Sequence, residues 1–95
     1  MKKYFDWNRE KNELLKSERE ICFEEVVEAI TGGQVLSKEK HTNQKKYPNQ
    51  QIYTVEIRGY AYLVPFVEDE DKIFLKTIIP SRKATRKFLI KGGGK

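Results

Sequence analysis

Between Gln51 and Ile79 the chain carries three runs of β-branched and aromatic residues with very little between them. Gln51 to Ile57 is the first run and Tyr60 to Val67 the second. Only Arg58-Gly59 separates them, the length of a two-residue hairpin turn. Glu68-Asp69-Glu70-Asp71 is an acidic turn, and Ile73 to Ile79 is the third run. Connections this short join antiparallel strands, because a parallel pair needs a crossover of a dozen residues or more. The segment is therefore predicted to be a three-stranded antiparallel meander. Tyr60 to Val67, long and mostly apolar, is its central strand. Pro65 lies inside that strand and has no N–H to give a ladder, which predicts a bulge or an end there.

Upstream, the spacing is that of a helix. Phe23, Val26, Val27 and Ile30 fall at i, i+3, i+4 and i+7, one face of a helix. Glu24 and Glu25 sit in its first turn, where the helix dipole favours negative charge. Thr31-Gly32-Gly33 ends it. Before it, Asp6 or Asn8 is placed to cap a short helix from about Arg9 to Ser17, with Trp7 as its core anchor. Gln34 to Ser37 reads as a short strand, and Lys38 to Asn49 as a polar loop long enough to be functional. After Pro80, Ser81 is a good N-cap for a helix from about Arg82 to Ile90. The expected architecture is α+β: two N-terminal helices, a short strand, the three-stranded meander and a C-terminal helix, with the helices on one face of the sheet. A chain of 95 residues makes one domain, here 1–90, with 91–95 as a flexible tail.

The charge is distributed unevenly. Lys72 to Lys95 hold eight lysines and arginines and no acid, whereas the rest of the chain has 11 basic and 14 acidic residues. The formal charge of +5 is thus +8 at this end and −3 elsewhere, which localises a polyanion contact. No window approaches the roughly 20 apolar residues that cross a bilayer. The first residues lack the apolar stretch of a secretory signal. Cys22 is the sole cysteine, so no internal disulfide forms, and no Cys/His set has zinc spacing. A reducing, cytoplasmic setting without metal, cofactor or membrane contact is expected.

The C-terminal helix concentrates the chemistry. On it, Arg82 faces the same way as Arg86, and Lys83 the same way as Lys87. Such like-charge pairs destabilise an isolated helix by a few tenths of a kcal/mol each. A bound polyanion would offset that. Arg82 and Arg86 offer guanidinium forks that match phosphate oxygens, Lys83 adds charge, and Ser81 with the first-turn N–H groups adds donors. Salt bridges to Glu24, Glu25 and Glu28 are the competing use of the same cations. His41, the sole histidine, titrates near neutrality and could act as general acid or base; an exposed loop residue is the competing reading. Lys46, Tyr47 and Tyr60 could contact phosphates or stack on bases, although strand tyrosines more often pack.

Two segments resemble the BrnT-like toxin family. One is Trp7-Asn8 with Lys11, followed by Ile21-Cys22-Phe23-Glu24-Glu25-Val26; that family's pattern runs Trp-Asp, a lysine, then Ser-Phe-Glu-Glu-Ala. The other is Ile78-Ile79-Pro80-Ser81-Arg82-Lys83-Ala84-Thr85-Arg86-Lys87, similar to its closing Ile-Ile-Ser-Ala-Arg-(Arg/Lys)-Ala-Thr-(Arg/Lys)-(Arg/Lys). The resemblance spans roughly Tyr4 to Leu89 and is weakest in the middle. It implies a RelE-like fold and a bacterial endoribonuclease toxin of a type II toxin–antitoxin system. It also implies a cognate antitoxin, usually a ribbon-helix-helix protein, through which alone the toxin meets operator DNA. The Arg-x-Ala-Thr-Arg pattern falls on Arg82, Ala84, Thr85 and Arg86. The family's Lys-His-Gly between the first two helices is replaced by Lys16-Ser17-Glu18-Arg19-Glu20, so its histidine has no counterpart there. On this reading Arg82, Arg86 and His41 are the catalytic candidates. Ser81, Lys83, Lys46, Tyr47 and Tyr60 are the RNA-binding ones.

Overall fold

The structure is a computed structural model describing residues 3–90. It is an α+β fold of three helices and a six-stranded mixed sheet. In chain order the elements are β1 (Tyr4–Trp7), α1 (Arg9–Arg19), α2 (Phe23–Thr31), β2 (Val35–Lys40) and β3 (Gln50–Ile57). They continue with β4 (Tyr60–Glu68), β5 (Lys72–Leu75), β6 (Ile79–Pro80) and α3 (Arg82–Phe88). The strands lie in the order β1-β5-β4-β3-β2, and β6 also pairs with β4. The expected tail at 91–95 lies outside the described residues.

The β3–β4 hairpin is as the sequence spacing requires. Ile57 pairs with Tyr60, and Arg58 and Gly59 both have positive φ, 52° and 79°. Two left-handed residues in succession give the turn whose twist matches the flanking strands. Arg58 holds this strained position while its guanidinium bonds the Glu25 carboxylate and the Glu20 carbonyl, tying the hairpin tip to the start of α2.

Two expectations about the sheet are corrected. Tyr4–Trp7, anticipated only as the lead-in to α1, is an edge strand parallel to β5, with Tyr4 opposite Lys72 and Trp7 opposite Leu75. Four residues are too few to display a period, and the partner lies at the far end of the chain. The third meander strand is also not continuous, since β5 stops at Leu75 and pairing resumes at Ile79. Pro65 is the cause. Its carbonyl accepts from Lys76 N–H at 2.8 Å, so the side of β4 on which Pro65 lacks an N–H faces this very segment. Lys76, Thr77 and Ile78 stand opposite only Val64 and Pro65, and the Ile78 carbonyl freed by the irregularity takes a hydrogen bond from Arg19 at 3.0 Å. Smaller differences are that β2 continues to Lys40, α1 to Arg19, and α3 ends at Phe88.

Residues paired across strands share a face. Tyr53, Val55 and Ile57 of β3 therefore line up with Val64 and Phe66 of β4 and Leu75 of β5 on one side of the sheet. On that side α1 and α2 lay Leu15, Phe23, Val26 and Ala29, closing the core. Trp7 joins this layer by stacking on Phe23, with ring centroids 5.7 Å apart, so it anchors α2 rather than α1.

The first turn of α2 is satisfied from outside the helix. Cys22 is a poor cap, and Asn12 of α1, buried, takes over: its Oδ1 accepts from Phe23 N–H at 2.8 Å, and its Nδ2 donates to Glu24 Oε1 at 3.0 Å. Glu25 reaches back to accept from Cys22 N–H at 3.1 Å. The α1 helix itself starts at Asn8, whose side chain accepts from Lys11 N–H.

Asn12→Ala leaves the Phe23 N–H buried without a partner, and is expected to destabilise the fold by about 1–3 kcal/mol in urea titrations. Acid should act in the same direction. Glu68 lies below its ordinary range chiefly through the hydrogen bond from Lys3, Glu24 through the one from Asn12, and Asp69 through the backbone N–H groups of Lys72 and Asp71. A carboxyl whose pKa is lower folded than unfolded adds stability above the unfolded value and loses it as pH falls through the folded one. Melting temperature is therefore expected to drop below about pH 4, and less steeply in Glu68→Gln.

Candidate nucleic-acid interface

The seven residues of α3 are too few to hold a helix in isolation. Two of them fix it to the sheet. Ala84 and Thr85 are buried, whereas Arg82, Lys83, Arg86 and Lys87 are exposed. The Thr85 hydroxyl accepts from Ala61 N–H at 2.9 Å and donates to the Ser81 carbonyl at 2.8 Å. Ser81 N–H in turn donates to the Ala61 carbonyl at 3.0 Å. The strand–strand ladder on this flank of β4 thus ends with a side-chain oxygen in place of a backbone carbonyl. That contact fixes the rotation of α3, and the helical period then directs the four cations away from the sheet.

None of the four has a carboxylate within ion-pair distance among the described residues. The competing expectation, pairing with the acids of α2, does not occur: Glu25 is taken by Arg58, and Glu24 is engaged by Asn12. Arg82 and Arg86 are about 6 Å apart along the helix axis, as are Lys83 and Lys87. The Lys87 ammonium lies 5.2 Å from the centre of the Phe88 ring. Lys87, not among the sequence candidates, is equivalent to Lys83 in exposure and spacing. Ser81 serves the fold first, its hydroxyl accepting from Ala84 N–H at 3.0 Å. Tyr60 belongs to this end of the sheet, next in the chain to Ala61, with its ring edge-on to Tyr62 at 5.7 Å.

His41, Lys46 and Tyr47 form a second group. The His41 and Tyr47 rings are 4.5 Å apart, and the Lys46 ammonium is 5.5 Å from the Tyr47 ring centre. His41 Nδ1 accepts from Asn43 N–H at 3.0 Å, which leaves Nε2 carrying the proton in the neutral ring. His41 N–H donates to the Gln50 carbonyl, and Gln50 pairs with Val67. Ala61 anchors α3. The six residue steps of β4 from Ala61 to Val67 span about 20 Å. The sequence candidates therefore separate into two groups at opposite ends of the central hairpin, and the histidine does not stand beside the arginines.

Among the described residues no helix is long and apolar enough to cross a membrane, and no group of three or more His, Cys, Asp or Glu side chains is placed to hold a metal ion. Burial pushes the Cys22 thiol up, which keeps it protonated. No family model, curated protein or solved structure matches the chain.

Thr85→Val keeps shape and removes the acceptor for Ala61 N–H. It is expected to cost about 1–3 kcal/mol by chemical denaturation, with Thr85→Ser recovering most of the loss. Arg86→Gln should leave stability within about 0.5 kcal/mol, because it touches only an exposed face.

Proposed function

We propose that this chain is a cytoplasmic, RelE-like toxin of a type II toxin–antitoxin pair, acting on RNA as an endoribonuclease and neutralised by a cognate antitoxin. The observation that carries this reading is the division of labour within Arg82-Lys83-Ala84-Thr85-Arg86-Lys87. The alanine and threonine are buried and fix the helix, and all four cations are exposed without acidic partners. A fold that only needed a solvated helix here would gain stability by interspersing acids at i, i+4. The segments similar to the toxin family supply the reaction class.

RNA cleavage through the 2′-hydroxyl needs three things: removal of its proton, stabilisation of charge on the phosphorane, and a proton for the departing 5′-oxygen. The α3 face suits the second. Arg82 and Arg86 present forked donors to non-bridging oxygens, and Lys83 and Lys87 hold the flanking strand electrostatically. Tyr60 is the titratable candidate nearest this helix in the chain. His41 would have to serve a different part of the substrate.

That separation of His41 from the arginines favours one second reading. In it the chain is a basic binding module that holds nucleic acid or docks an antitoxin without cutting.

Induced expression with mapping of RNA 5′ ends separates the two. New 5′ ends and growth arrest are expected for the unaltered chain. Arg82→Ala is expected to cut about 100-fold more slowly and to relieve arrest while melting like the parent. A folded Arg82→Ala protein that stays fully toxic contradicts the role given to Arg82, and RNA bound but never cut by antitoxin-free protein establishes the second reading.

A further inference from the structure

At the end of the sheet opposite α3 there is a cleft of about 670 Å³ between the β2–β3 loop and the β4–β5 turn. That volume lies within the roughly 300–1,000 Å³ usual for small-ligand sites. Its floor is built by register. Gln50, Val67 and Phe74 are neighbours on three adjacent strands, on the sheet face away from α1 and α2. Phe74 is half-buried and contributes an aromatic surface. Gln44 and Asn49 from the loop, with Gln50 from β3, add amide groups that both donate and accept; one donor of Gln44 bonds the His41 carbonyl.

The loop wall is held in shape before any ligand arrives. His41 N–H donates to the Gln50 carbonyl at 2.9 Å, Tyr47 N–H to the Asn43 carbonyl at 2.9 Å, and Gln50 N–H to the Tyr47 carbonyl at 3.2 Å. The His41–Tyr47 ring contact braces the same loop. A pre-formed wall lowers the ordering cost of binding.

The charges in the cleft are unequal in availability. Asp69 is occupied, its Oδ1 accepting from Asp71 and Lys72 N–H at 2.8 and 2.9 Å. Glu68 is held by Lys3 at 2.7 Å and Lys38 at 3.9 Å. Lys40, opposite Gln51, stands on the other face of the sheet. The Lys72 ammonium is 5.8 Å from the Phe74 ring centre and 3.4 Å from Asp6. The Asp6 pair is exposed and weak, so an incoming anion can replace it.

We propose that this cleft is a nucleobase subsite for single-stranded RNA. A base stacks on Phe74, its polar edge is read by the amides of Gln44, Asn49 and Gln50, and its phosphate lies toward Lys72. Stacking on an aromatic side chain with hydrogen bonds to the base edge is how unpaired bases are recognised. The two ends of the molecule then have separate tasks: α3 holds phosphates, and the cleft reads a base a short length of strand away. The identity of the polymer rests on the RNA reading given above, whereas the cleft chemistry stands on the floor and wall just described.

The test uses the full chain freed of any partner, a short single-stranded RNA and the four nucleoside 5′-monophosphates, observed by amide NMR. RNA is expected to shift the side-chain amides of Gln44, Asn49 and Gln50 together with the α3 backbone. Phe74→Leu should weaken RNA binding about tenfold, with the monophosphates losing their cleft shifts. Lys72→Gln removes the cation nearest the aromatic floor while leaving Phe74 in place, and should weaken binding severalfold. If RNA binds through α3 but moves no cleft amide, and both folded variants bind as the parent does, the subsite is overturned and the RNA reading stands. If the chain binds no RNA at all, both fall.

Discussion

The position of α3 depends on how one flank of β4 is satisfied. Its other flank is a regular ladder to β3 over eight pairs, from Gln50–Val67 to Ile57–Tyr60. The second flank has no single partner. β5 covers Phe66 to Glu68, Lys76 N–H reaches Pro65, β6 covers Tyr62 and Leu63, and Ser81 and Thr85 complete Ala61. Proline's missing donor makes a continuous third strand unfavourable at Pro65, and the chain answers with an irregularity that drives Ile78 fully into the core. The re-paired Ile79-Pro80 then delivers Ser81 to the place where a cap and a last rung are both needed. A backbone constraint at Pro65 in the middle of the sheet thus determines where the cationic helix that starts at Arg82 begins to face solvent.

The helical layer solves its polar problem in a related way. The start of α2 would leave buried N–H groups unpaired behind a cysteine cap. Asn12 from α1 and Glu25 from within α2 supply the acceptors. Both this knot and the Thr85 rung are single polar side chains that complete backbone hydrogen bonding in a small core. A domain of this size buries too little apolar surface to tolerate an unpaired buried group easily.

Much of this was legible from residue spacing. The Phe23–Val26–Val27–Ile30 stripe, the Arg58-Gly59 turn and the Ser81 cap all follow from local rules. The bulge or end expected in the second strand at Pro65 does not occur, since β4 runs unbroken to Glu68 and the irregularity falls on the segment opposite. The strand at Tyr4–Trp7 was not legible, because a short parallel edge strand is specified by its partner 72–75 and by packing, not by its own period. Asn12 looked like one more polar residue on a polar helix; only the approach of α2 makes it structural. In the site, exposure of Arg82 and Arg86 was readable from helical spacing. The separation of His41 from the arginines by the length of β4 was not, since it depends on which end of the hairpin each loop joins.

The proposed role of the α3 face is that of a phosphate-binding surface held rigid by Thr85. The most direct measurement is the salt dependence of single-stranded RNA affinity for the parent chain and for the Arg82→Gln/Arg86→Gln double variant. Each phosphate contact on single-stranded nucleic acid contributes about 0.7 to the log–log slope. The account predicts a slope shallower by about 1.4 in the double variant, at unchanged melting temperature. An equal slope for the two folded proteins would contradict it.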